Sequence, residues 1–130
     1  MTKIDHLGIA VKSIDQALNF YRDQLGLQVS LRERVEIEKV EAAMLPVGES
    51  RIELLQATSP DSVIAKFIDK RGEGLHHIAL TTPDLLATVE KLKSSGARIL
   101  NEPRQGAGGH LYVFVHPAST GGVLLELIQE

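Results

Sequence analysis

The feature that most constrains this 130-residue chain is that its landmarks occur twice. His6 and His77 stand 71 residues apart, the glycines Gly26 and Gly96 stand 70 apart, and Glu53 and Glu126 stand 73 apart. The two glutamates share a setting, since Ile52-Glu53-Leu54-Leu55 and Leu125-Glu126-Leu127-Ile128 each place one acid inside an apolar run. The small drift between the offsets fits loops of unequal length. A period this long in only two copies does not describe a solenoid. It describes two modules with pseudo-twofold symmetry, their sheets facing each other across a shared cleft.

Local patterns give the content of each module. Ile4 to Val11 alternates like a strand, with Leu7, Ile9 and Val11 on one face and His6, Gly8 and Ala10 on the other. Ser13-Ile14-Asp15-Gln16 is a capping box. It opens a helix carrying Ile14, Ala17, Leu18, Tyr21 and Leu25, which stops at Gly26. Leu27 to Glu36, Glu38 to Leu45 and Arg51 to Ala57 read as strands. A linker helix follows, opened by Ser59-Pro60-Asp61 with proline at its first position, and ends over Arg71 to Gly74. The order then repeats. Leu75 to Thr81 alternates, Thr82-Pro83-Asp84 opens a helix that stops at Gly96, and strands are expected at Ala97 to Asn101, His110 to His116 and Gly122 to Gln129. Arg104 to Gly109 reads as a loop. The fold class is therefore α+β, a single domain over residues 1–130. Module 1 covers about 1–58, the linker helix about 59–73 and module 2 about 74–130.

Composition removes several functions. There is no cysteine, which excludes disulfide frameworks, thiolate nucleophiles and iron–sulfur clusters. A net charge of -3 supplies no electrostatic footprint for nucleic acid. No apolar run reaches the ~20 residues needed to span a bilayer, and the first residues lack the apolar core of a signal peptide. The expectation is a soluble, cytoplasmic protein without nucleic-acid or membrane partners.

What remains is the repeated histidine and glutamate. His6 heads a strand face of small residues, and His77 does so with Ala79 and Thr81. His76 falls on the opposite face, so the ligand role goes to His77. Glu53 and Glu126 are charges inside apolar strands, and a buried carboxylate is costly unless paired or bound to a cation. Two imidazoles and two carboxylates, one of each from each half, supply N₂O₂ ligation to a divalent metal. Without sulfur ligands, Co²⁺, Mn²⁺, Ni²⁺, Zn²⁺ and Mg²⁺ all suit the set. On a six-coordinate ion, such a set leaves two adjacent positions open for substrate oxygens.

These residues carry a resemblance. Asp5 to Val11, Ala43 to Gly48, Arg51 to Leu55, Ser62 to Phe67, Gly74 to Ala79, and Phe114 to Pro117 through Gly121 to Leu127 are similar to the vicinal oxygen chelate superfamily. More narrowly, they resemble its methylmalonyl-CoA epimerases. The resemblance spans essentially the whole chain. It implies two βαβββ modules around a metal, Co²⁺ first among the candidates, held by His6, Glu53, His77 and Glu126. Some relatives have Gln where this chain has Glu53. It also implies a catalytic glutamate at Glu41, which shares a strand face with Ala43 and Leu45, with Glu126 as the second acid–base group. The implied substrate is methylmalonyl-CoA and the implied assembly a homodimer. Two alternatives stay open. One is a glyoxalase I-type lyase acting on a glutathione hemithioacetal, and the other is a non-catalytic binder of the bleomycin-resistance type.

Overall fold

The computed structural model describes residues 1–130, the side chain of residue 107 excepted. Eight strands and three α-helices follow one another as β1 (Ile4–Ala10), α1 (Ile14–Leu18), β2 (Leu31–Val35), β3 (Val40–Val47), β4 (Ser50–Ala57), α2 (Val63–Arg71), β5 (Gly74–Thr82), α3 (Leu85–Ser94), β6 (Arg104–Gln105), β7 (Leu111–Val115) and β8 (Leu125–Gln129). The α+β class and the two βαβββ modules are as the repeat leads one to expect. The chain divides into two compact units, residues 7–76 and residues 1–6 with 77–130. Both β1 and β5 pass through the division, so His6 packs with the C-terminal unit rather than with the half that encodes it.

In the unit of residues 7–76 the strands lie in the order β2-β3-β4-β1. Alternation gives this sheet two apolar faces. Ala43, Leu45, Leu54 and Val11 pack under Ile14 and Leu18 of α1. Ala10, Val40, Ala42 and Leu55 pack with Ile64 of α2 on the other face. The β3–β4 hairpin closes through Gly48-Glu49, with Val47 opposite Ser50. Gly48 takes φ +59° at the first turn position, where a two-residue hairpin turn of this kind favours glycine.

In the unit of residues 1–6 and 77–130, β5, β8, β7 and β6 are neighbours in that order. β5 runs parallel to β8 with Ala79 opposite Glu126, and β8 antiparallel to β7 with Glu126 opposite Phe114. Leu85 and Val89 of α3 cover Val113, Val115 and Leu127 on one face. Ala79, Tyr112 and Ile128 form the apolar part of the other. Burying one such Leu or Val contributes about 1.5–3 kcal/mol, so the helix-covered faces anchor both units.

Several elements depart from expectation. Asp84 caps α3 through Ala87 N, and Ser13 caps α1 through Gln16 N, as the motifs predict. The first helix, however, is α-helical only to Leu18 and continues as a π-helix over Asn19–Gln24. Leu25 N donates to Phe20 O at 2.8 Å, a bond spanning five residues. The wider turn shifts the apolar stripe, so Tyr21 stays against the α1-side core while Phe20 and Leu25 are exposed. The linker helix begins at Val63, not at Pro60, because the buried Ser62 hydroxyl accepts from Ala65 N at 3.0 Å. That bond makes Ser62 the N-cap and leaves Pro60 in the preceding turn. Ala97 to Asn101 is not a strand, and only Ile99 bridges to Val115. Asn101 instead uses its side chain on the backbone of Phe114 and Tyr112. The expected loop at Arg104 contains the short edge strand β6.

Candidate metal centre

Three of the expected site residues come together within the unit of residues 1–6 and 77–130. His6 leaves β1, His77 leaves β5 and Glu126 leaves β8, all toward the face that α3 does not cover. This follows from alternation, since Leu80, Leu125 and Leu127 occupy the α3 side of the same strands. His6 Nε2 lies 3.0 Å from His77 Nε2. Glu126 Oε1 lies 3.3 Å from His6 Nε2 and 3.0 Å from His77 Nε2. The histidines are 3% and 4% exposed. Ring geometry supports them, with the His77 imidazole meeting Phe114 edge to face at 5.4 Å between centroids.

The electrostatics follow from that packing. Burial works to raise the Glu126 carboxyl. Hydrogen bonds from His6 and His77, with their positive potential, outweigh it and hold Glu126 below the usual carboxylate range. The carboxylate engages both rings through Oε1, and no side chain among the described residues hydrogen-bonds to Oε2.

This donor set fits a divalent cation. Adjacent ligands on a six-coordinate ion with bonds of about 2.1 Å lie about 3.0 Å apart, and on a tetrahedral ion with bonds of about 2.0 Å about 3.3 Å. The three separations fall at those edge lengths. The donors are two imidazole nitrogens and one carboxylate oxygen, which suit Co²⁺, Mn²⁺, Ni²⁺, Zn²⁺ or Mg²⁺ without selecting among them.

Glu53 lies in the other unit, on β4 opposite Met44. It is 5% exposed and shares its strand face with Leu55. Glu41 does not reach that face. The hairpin register sets it opposite Gln56, in phase with Ala43 and Leu45 on the α1 side. There it pairs with Arg32 at 2.6 Å, and Arg32 reaches on to Asp15 of α1 at 2.7 Å. The alternation of Glu41 with Ala43 and Leu45 was legible in the sequence. What placed it relative to Glu53 was the two-residue turn Gly48-Glu49, which fixes the register and could have served as the signal. Residue-by-residue reading also assigned nothing to Asp5, although its position directly before His6 was visible. Asp5 Oδ2 accepts from His6 Nδ1 at 2.7 Å.

The fold and this centre have known counterparts. Residues 3–127 match the Glyoxalase/Bleomycin resistance protein/Dioxygenase superfamily, and the chain belongs to that family. Within it, the chain is similar to an ethylmalonyl-CoA/methylmalonyl-CoA epimerase of Cereibacter sphaeroides, 35% identical over 98% of this chain and 97% of that protein. Its structure resembles that of methylmalonyl-CoA epimerase from Mycobacterium tuberculosis, with a TM-score of 0.92 and 38% identity over 97% of this chain and 86% of that one. It also resembles a methylmalonyl-CoA epimerase solved in complex with methylmalonyl-CoA and NH4+, with a TM-score of 0.96 and 39% identity over 100% and 95% of the two chains.

Proposed function

We propose that this chain is an isomerase that interconverts the (R) and (S) forms of methylmalonyl-CoA by moving the hydrogen on the carbon between the thioester and the free carboxylate. The observation that carries the reading is the convergence of His6, His77 and Glu126 at 3.0–3.3 Å. It occurs in a chain aligned from end to end with proteins named for that epimerisation.

In this reading His6, His77, Glu126 and Glu53 hold a divalent ion, with Co²⁺ the first candidate. When bound, such an ion supplies positive charge to the oxygen on which negative charge develops as the hydrogen leaves. The protein's own groups do the rest. Glu126 is fixed through Oε1 by two imidazoles, so Oε2 is the atom assigned to take the proton. A low carboxylate pKa makes Glu126 a weak base, so this role requires the acceptor to be held beside the reacting carbon. Inversion needs a proton returned to the opposite face. That step requires a second proton carrier, distinct from the four ligands. Glu41 has no part in this chemistry, because its face is the one packed under α1. The same reading includes a homodimer acting in the cytoplasm, which sedimentation and cell fractionation check.

Solvent-deuterium exchange followed by NMR tests the reaction. The α-hydrogen signal of methylmalonyl-CoA is expected to disappear with Co²⁺-loaded enzyme and to persist after treatment with a chelator. Persistence with the loaded enzyme overturns the assignment.

A further inference from the structure

We propose that Asp5 is the positioning residue of the His6 imidazole. Its carboxylate accepts a hydrogen bond from Nδ1–H and so turns Nε2 toward His77 and Glu126. The inference deepens the reading above, in which His6 Nε2 is a metal ligand.

Neighbouring residues on a strand point to opposite faces, so contact between the side chains of Asp5 and His6 is not what alternation alone produces. Nevertheless Asp5 Oδ2 lies 2.7 Å from His6 Nδ1. Asp5 is 9% exposed, and a buried carboxylate persists only where donors meet it. An ionised carboxylate accepts and does not donate. The hydrogen in this bond therefore sits on Nδ1, and Nε2 is the nitrogen left to face the site. Nε2 lies at the point which His77 Nε2 and Glu126 Oε1 also face, at 3.0 and 3.3 Å. A carboxylate behind a ligating histidine fixes the tautomer and raises the basicity of the donor nitrogen.

The duplicated half makes the assignment specific. The residue that precedes His77 is His76, so an acid is replaced by a ring. The His76 ring meets Phe67 at 4.9 Å, and His77 is braced by Phe114. Only His6 has an acid as its immediate neighbour. Loss of Asp5 is therefore expected at one imidazole and not at both.

The test is the Nδ1 proton of His6, read from ¹⁵N–¹H correlation spectra of the metal-free protein. Wild type is expected to show His6 protonated at Nδ1. Asp5→Asn, whose amide oxygen still accepts, keeps that tautomer, and Asp5→Ala moves the proton to Nε2. Titration with Co²⁺ is expected to show about 10–100-fold weaker binding for Asp5→Ala and a smaller loss for Asp5→Asn. A wild-type His6 without a proton on Nδ1 overturns the proposal. So does an Asp5→Ala protein that binds Co²⁺ as wild type does. If Asp5→Ala does not fold, the wild-type tautomer and Asp5→Asn decide. A wild type that binds no Co²⁺ sinks the metal reading instead, and its tautomer spectrum still decides Asp5.

Discussion

The face of the sheet away from the first helix is built differently in the two units. In residues 1–6 and 77–130 it carries His6, His77 and Glu126 in mutual contact, beside Ala79, Tyr112, Phe114 and Ile128. In residues 7–76 the corresponding strands present Ala10, Val40, Ala42 and Leu55 packed with Ile64, and the buried Glu53 shares the strand face of Leu55. The faces under α1 and α3 are by contrast alike, each an aliphatic layer of Val and Leu beneath a helix. A duplicated chain thus keeps its scaffold symmetric and lets its working face diverge. Packing tolerates few polar groups, whereas chemistry needs them gathered in one place.

The sharpest way to break this comparison is to neutralise the acid that sits among the imidazoles. Glu126→Gln is expected to lower kcat by about 10²–10⁴-fold, as removal of a general base does, in assays of deuterium exchange and of epimerisation. Chelation of the wild type is expected to match that loss, with Co²⁺ restoring activity. If Glu126→Gln retains full turnover, the two faces do not differ in function.

The scaffold side is probed by Leu54→Ala in one unit and Leu127→Ala in the other. Both side chains are buried, and each truncation is expected to cost about 2–5 kcal/mol in urea unfolding. Similar costs support equivalent helix-covered faces, and a cost below about 1 kcal/mol in either unit breaks the equivalence.

Glu41→Gln sharpens the contrast between faces. Its partner Arg32 is over a third exposed, so the pair is worth less than about 1 kcal/mol, and turnover should stay at the wild-type level. A collapse of turnover with the fold intact restores Glu41 to the chemistry.

The smallest effect expected is on acid stability. Lys39 and Ser59 hold the Asp61 carboxyl down to about 2 from its ordinary 3.8. A depressed carboxylate contributes stability that is complete above the ordinary value and is lost as pH falls toward the folded one. Asp61→Asn should therefore lower stability slightly at neutral pH, by the same amount that it flattens the acid-unfolding curve between about pH 4 and pH 2. The pair is solvent-exposed, so salt should weaken the difference.

Much of this was legible from local chemistry. The face assignment of His6 and His77 followed from alternation, and the caps at Ser13 and Asp84 from their hydroxyl and carboxylate. The errors also have local causes. Asn101 has strand-like neighbours, yet its side-chain amide, not its backbone, bonds to the backbone of β7. Ser62 competes with Pro60 for the helix start and wins through one hydrogen bond.

The amino-acid order by itself determined that the fold is duplicated, that each half offers one histidine and one buried acid, and which strand face each histidine takes. These are properties of period two and of residue chemistry, complete within a few neighbouring positions. Tertiary structure alone decided that Glu41 points under α1, that Glu126 joins two imidazoles 71 residues apart, and that His6 serves the unit it does not belong to in sequence. Register and long-range pairing set those distances. A slip of one residue in pairing reverses every side chain, and nothing local to the strand forbids it.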